Sequence, residues 1–243
     1  MGVKYGNGIV RKALRVHVDA ANPKSYPGSG TSWYNLAADT FDTSNVAVGT
    51  MGTGVSFSAG PPASMVFDGT TNAYVEFGVG ADYFTNTTGI QFDNPHEIAV
   101  ESWSSSTGLG SGQTLGGICG WTYGIRHGYN GSGAMFAGYD TGSALSTNGD
   151  GVNHFTGEWV HFISTQRNAG GNLYVNGELI HTNTRRWQGK TRWLTNNCRI
   201  GRDMNNTIYN LDGKVAIFRV YYKWISPQEA KQNFNAERGR FGV

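Results

Sequence analysis

An Asn-Gly pair sits at the centre of Gly171-Asn-Leu-Tyr-Val-Asn-Gly-Glu-Leu-Ile-His-Thr182, between two short, mainly apolar runs, Leu173–Val175 and Glu178–Ile180. Asn and Gly both tolerate positive φ, and a two-residue type I′ loop needs that at both central positions. Its twist matches the strands it joins, so Asn176-Gly177 predicts a β-hairpin and with it an antiparallel sheet. Composition agrees: of 243 residues 36 are Gly, and only 15% are charged. A helical protein would show far more Ala, Leu, Glu and Lys. The 12 Phe, 12 Tyr and 7 Trp supply the large side chains that a β core needs.

Strand signals recur along the chain. In Ala13–Ala20, Leu14, Val16 and Val18 alternate with Arg15, His17 and Asp19, the pattern of a half-buried strand. The turn-rich run 21–30, with Pro23 and Pro27, follows, and Trp33, Tyr34 and Leu36 return to the core. Residues 39–62 suit weak strands and loops. Met65–Phe67 and Tyr74–Phe77 bracket a turn at 68–72. Glu97–Ser104, Gly116–Ile125, Ala134–Tyr139, Trp159–Gln166, Asn197–Gly201 and Lys214–Lys223 are further strands. Trp159–Gln166 is apolar on both faces, which predicts a strand covered on both sides. Ser226-Pro-Gln-Glu229 is a capping box with Pro at the first helical position, and Gly239 supplies a stop. The prediction is an all-β, two-sheet antiparallel jelly-roll sandwich with one short C-terminal helix. It divides into an N-terminal arm (1–12), the sandwich (13–225) and a helix with tail (226–243).

The 19 basic and 17 acidic residues leave a net charge of +2, so no polyanionic partner such as nucleic acid is called for. No apolar run is long enough for a membrane span, and the first residues lack the apolar core of a secretory signal. Cys119 and Cys198 read as two buried thiols made inside a cell. Asp39, Asp42, Asp68, Asp203 and Asp212 lie in loop-like contexts without a calcium ladder, where capping of their own turns suffices. The histidines at 17, 96, 127, 154, 161 and 181 show no zinc spacing, and surface or strand-facing roles suffice for them. Gly108-Leu-Gly-Ser-Gly112 lacks the Lys and strand–helix context of a phosphate cradle. No metal or other cofactor is expected.

Arg185-Arg-Trp-Gln-Gly-Lys-Thr-Arg-Trp193 packs four cations and two indoles into nine residues. Arg185, Arg186, Trp187, Lys190, Arg192 and Trp193 fit a protein-partner contact first, because Arg and Trp dominate interface hot spots, and after it a glycan or nucleic-acid bases on which the rings could stack. They fit as well a sandwich edge closed by its indoles and kept soluble by its charges. Tyr5 and Phe241, near the two chain ends, join this candidate set as aromatic tips of basic, Gly-rich arms that would order on a partner.

Val16-His-Val-Asp-Ala-Ala-Asn-Pro-Lys-Ser-Tyr-Pro-Gly-Ser-Gly-Thr-Ser-Trp-Tyr-Asn-Leu36 resembles the opening of concanavalin A-like (laminin-G-like) jelly-roll domains of phage structural proteins. Met65–Val75, Leu173–Leu179 and Arg199–Arg202 are similar to the family's next landmarks, in its order. Gly213–Tyr221, Ile225–Ala236 and Arg238–Gly242 resemble its closing strand, helix and tail. The resemblance implies a virion protein made in the host cytoplasm, a capsid decoration or a tail or fibre component. Its partners would be other virion proteins, further copies of itself, or a host-surface glycan as a lectin-like alternative. Ala216 and Ile217 stand where family members commonly carry an acidic residue, and Asn35–Asp42 replaces a usual Asn-Gly-rich loop, so an inherited calcium site is not expected. Glucanases of the superfamily use Glu-x-Asp-x-Glu; Glu97-Ile-Ala-Val-Glu101 has the outer spacing, but Ala99 replaces the Asp that would tune the pair. Catalytic residues are therefore expected to be absent, and the protein to be no enzyme.

Overall fold

A computed structural model of the chain describes residues 8–37, 48–79, 97–108, 112–118, 125–139, 151–167, 170–184, 197–203 and 209–243. In chain order these form β1 (Leu14–Asp19), β2 (Ser32–Tyr34), β3 (Val48–Met51), β4 (Val55–Ser58), β5 (Ser64–Asp68), β6 (Val75–Val79), β7 (Glu97–Ser106) and β8 (Gln113–Ile118). There follow β9 (Ile125–Tyr129), β10 (Met135–Tyr139), β11 (Val160–Arg167), β12 (Gly170–Val175), β13 (Glu178–Asn183), β14 (Asn197–Ile200), β15 (Asp212–Tyr221) and the helix α1 (Pro227–Phe241). All pairings are antiparallel. One sheet runs β13-β12-β11-β7-β15-β5-β4, with β1 joining β15 beyond the end of β5; the other runs β10-β9-β8-β14-β6-β3-β2.

The two sheets bury one core between them. Val16, Val18, Met65, Phe67, Val100, Phe162 and Phe218 from the first sheet meet Trp33, Val75, Phe77, Leu115, Tyr129 and Met135 from the second. Gly116 lets them approach: a Cβ there would lie 2.2 Å from the Phe218 ring. The Asn176-Gly177 turn is as its residues dictate, with φ of 50° and 78° and Val175 opposite Glu178. β11 is buried along all but its last residue, as its two apolar faces require.

The expected sandwich is present, with a third layer against the outer face of the first sheet. Val10, Leu14, Ala99, Ile163, Tyr174, Tyr221, Ile225 and Ala230 make one apolar cluster there; Trp103, Ala216, Ile217, Phe234 and Phe241 make another. Leu14 belongs to this layer and not with Val16 and Val18, because a bulge between Leu14 and Val16 resets the alternation. The capping box at Ser226 and Glu229 forms in both directions. The helix passes the expected stop at Gly239 and ends at Gly242, which is left-handed at φ 74° and donates its N–H to the Arg238 carbonyl. The segment 8–12 is held down as well: the Val10 N–H donates to Asn233 Oδ1 at 2.8 Å. Among the described residues no helix is long and apolar enough to cross a membrane.

Candidate functional site

The glucanase-like pair on β7 is the natural place to look for reactive chemistry. Alternation puts Ile98, Val100, Ser102 and Ser104 towards the second sheet, and Glu97, Ala99, Glu101 and Trp103 towards the helix layer. Arg219 of β15 and Ile163 of β11 lie directly across from Glu101 in the two neighbouring strands. Glu101 is fully buried.

Its carboxylate has about four lone-pair positions, and four donors fill them. Oε1 accepts from His161 Nε2 at 2.9 Å and from Arg219 Nη1 at 2.8 Å. Oε2 accepts from the Tyr221 hydroxyl at 2.9 Å and from Asn233 Nδ2 of α1 at 2.8 Å. Burial pushes the Glu101 carboxyl up, but the Arg219 guanidinium and the hydrogen bonds from His161 and Tyr221 outweigh it and hold the pKa down at about 2. Arg219 also pairs with Glu237 on the helix and donates to His17 Nε2 at 3.3 Å, while Trp103 Nε1 donates to Glu237 at 3.0 Å. Glu97 is occupied differently, accepting the Trp224 backbone N–H at 2.9 Å. The cluster fastens the helix to the sheet. It offers a substrate neither a free lone pair on Glu101 nor a path to it.

A second constellation has the look of a nucleophile and base. His127 lies between Ser102 Oγ (2.8 Å from Nε2) and Ser164 Oγ (3.0 Å from Nδ1), stacked on Phe162 at 4.1 Å. All three polar residues are sealed between the sheets. Burial pushes the His127 pKa down to about 3, so the ring is uncharged at neutral pH and serves as a packed bridge. His127 and His161 are thus buried strand residues, within the surface or strand-facing roles expected, and no spacing in the sequence tells the inward ones from the surface ones.

Two of the acidic residues expected in loops, Asp68 and Asp203, are turn and pairing groups, and Asp212 opens β15. Asp68 caps its own turn through the Thr70 N–H and hydroxyl, and Asp203 lies 3.9 Å from Arg126, whose guanidinium stacks over Tyr209 and Phe136. Cys198 is buried in the core; Cys119, Asp39, Asp42 and His96 lie outside the described residues. So do Tyr5, Arg185, Arg186, Trp187, Lys190, Arg192 and Trp193. Phe241 is described and is a correction: it is 6% exposed and stacked on Trp103 with centroids 4.0 Å apart, a ring spent inside the fold.

A half-open cleft of about 310 Å³ remains beside the helix layer, between the segment 9–11, β1 and the residues after β2. Ile9, Leu14 and Leu36 form its apolar side; Arg11, His17 and Asn22 form its polar side. The sequence did not single it out, since its walls come from separate stretches whose meeting only the fold decides.

A profile of the concanavalin A-like lectin/glucanases superfamily matches residues 68–231. A search of curated proteins by sequence finds no match. Among solved structures, a sialidase of Trypanosoma rangeli aligns with a TM-score of 0.65 at 14% identity, over 95% of this chain and 34% of its own. Domain 4 of AbnA, an extracellular GH43 arabinanase of Geobacillus stearothermophilus solved with arabinotriose, aligns at 0.58 and 15% identity over 90% of this chain and 97% of its own. The receptor-binding domain of botulinum neurotoxin type G aligns at 0.60 and 10% identity, over 93% and 52%. The chain spans about a third of the sialidase, and at these identities the likeness is one of fold.

Proposed function

The chain belongs to the concanavalin A-like lectin/glucanases superfamily, and from that membership we propose that it is a non-catalytic module that binds carbohydrate. The observation that carries this reading is the saturation of Glu101. A glycosidase of the two-carboxylate kind needs one acid that gives a proton and one carboxylate that attacks or activates water. Glu101 is ionised, buried and bonded four times, Glu97 holds a backbone N–H, and Ala99 brings no third acid between them. The fold remains, and on it binding needs no proton transfer. The arabinanase domain aligned over 97% of its own length is a module of the same extent, solved with arabinotriose bound. That supports a sugar as ligand.

The test is an array of neutral and acidic glycans probed with the purified protein. Saturable binding to a restricted set is the expected result; no binding to any glycan at millimolar density contradicts it. A second reading is favoured by the opening and closing phrases 16–36 and 213–242, which resemble those of phage structural proteins. On it the module is a capsid decoration or a tail or fibre component working through protein–protein contacts. Its test is whether the chain is present at fixed copy number in purified particles. A particle-borne module that also binds host glycans satisfies both readings.

A further inference from the structure

The cleft beside the helix layer is built from pinned walls. Asn35 is buried and stands in for a strand: its Oδ1 accepts the His17 N–H at 2.8 Å and the Ala37 N–H at 2.9 Å, and its Nδ2 donates to the Arg15 carbonyl at 2.9 Å. The opposite wall, 9–11, is fixed through Val10 to Asn233 of α1. Such a recess exists before any ligand arrives.

Its polar side presents donors. Arg219 can only donate, so His17 Nε2, 3.3 Å away, accepts, and the ring proton sits on Nδ1. Nδ1 makes no hydrogen bond among the described residues and is not a sealed atom. Asn22 Oδ1 accepts from the Lys24 N–H at 3.0 Å, which leaves its Nδ2 as the free group. Arg11 is exposed and makes no ion pair among the described residues. Among the described residues no acidic side chain lines the cleft. Its charge also reaches His17, whose pKa falls to about 3, first through burial and then through Arg219 and Arg11 among other charges. A volume of about 310 Å³ is at the small end of ligand sites, which run from roughly 300 to 1,000 Å³. It admits one ring, not an oligosaccharide.

We propose that this cleft binds a single carboxylate-bearing sugar residue, with the carboxylate against Arg11, His17 Nδ1–H and Asn22 Nδ2 and an apolar edge against Leu14 and Leu36. The assignment rests on the glycan-binding reading for the sugar and on the cleft's donors for the acid. The experiment titrates the full chain with methyl β-glucuronide, methyl α-sialoside and neutral methyl β-glucoside, using wild type, Arg11→Glu and Asn22→Ala. At least one acidic glycoside is expected to bind tenfold or more tighter than the neutral one. Arg11→Glu, at an exposed position, should abolish that preference with an unchanged melting temperature, and Asn22→Ala should weaken it severalfold. Equal binding of acid and neutral sugar, binding of neither acid, or indifference to Arg11→Glu overturns the assignment. Array binding that survives Arg11→Glu overturns the cleft alone and leaves the glycan-binding module standing. An array with no binding at all removes both.

Discussion

Glu101 is a charge held inside a protein, and what makes it tolerable is the number of donors facing it. Replacing one oxygen by an amide turns a lone pair into N–H groups aimed at other donors and leaves Arg219 with one carboxylate partner in place of two. Breaking a buried pair of this kind costs several kcal/mol. Glu101→Gln should lower stability by about 3 kcal/mol in urea unfolding, and Glu97→Gln by no more than about 1 kcal/mol. A loss below about 1 kcal/mol for Glu101→Gln would mean that the donors are not assembled as described. Acid acts on buried histidines as well as on this carboxylate. His17 and His127 have pKa values of about 3 in the fold, against 6.5 ordinarily. The unfolded chain therefore binds more protons between those limits, and stability falls as pH drops below 6.5. The slope is at most about 1.4 kcal/mol per pH unit for each ring. Glu101, at about 2 against 4.5, adds a further loss below pH 4.5. Urea midpoints should be flat from pH 7 to 9 and fall with growing steepness from pH 6.5 to 4; a midpoint unchanged down to pH 5 contradicts this. Spacing marked Glu97 and Glu101 in the sequence, but not their neighbours. The four donors to Glu101 lie 60, 118, 120 and 132 positions away, a separation no local pattern spans.

At the scale of elements, the helix shows where local signals end. The capping box announces its start unambiguously, since Ser226 and Glu229 satisfy each other across three residues. Its end lies beyond the stop that Gly239 offers, because a glycine within a helix costs only about 1 kcal/mol and tertiary contact decides the matter. Phe241 stacks on Trp103, Arg240 pairs with Asp19 at 2.8 Å, and the helix continues to make both contacts. Phe241→Ala should cost about 3 kcal/mol. Removing residues 238–243 should cost more, exposing Trp103 to a dye that binds apolar surface. A truncated chain as stable as wild type would return these residues to the status of a tail. The hairpin was legible for the opposite reason: Asn176-Gly177 decides its own backbone. What the sequence does not tell is that this turn touches the helix, a Cβ on Gly177 falling 2.9 Å from that of Phe234.

On the scale of the whole molecule, alternation and turn chemistry were enough for two antiparallel sheets, because each strand carries its own burial pattern. The third layer was legible only in part: Trp159–Gln166, on β11, reads as covered on both sides, but nothing in it says that the second cover is a helix fastened through a charged cluster. That covering layer distinguishes the molecule functionally, since it occupies Glu101 and leaves the cleft at its margin. The central claim is that the protein holds sugar without cleaving it, and the most direct measurement follows the chain length of an array-selected oligosaccharide, kept with stoichiometric protein over several days. The account predicts an oligosaccharide that is retained by the protein and unchanged in length. Shorter chains that appear only with active protein, and at a rate that saturates with substrate, would contradict it.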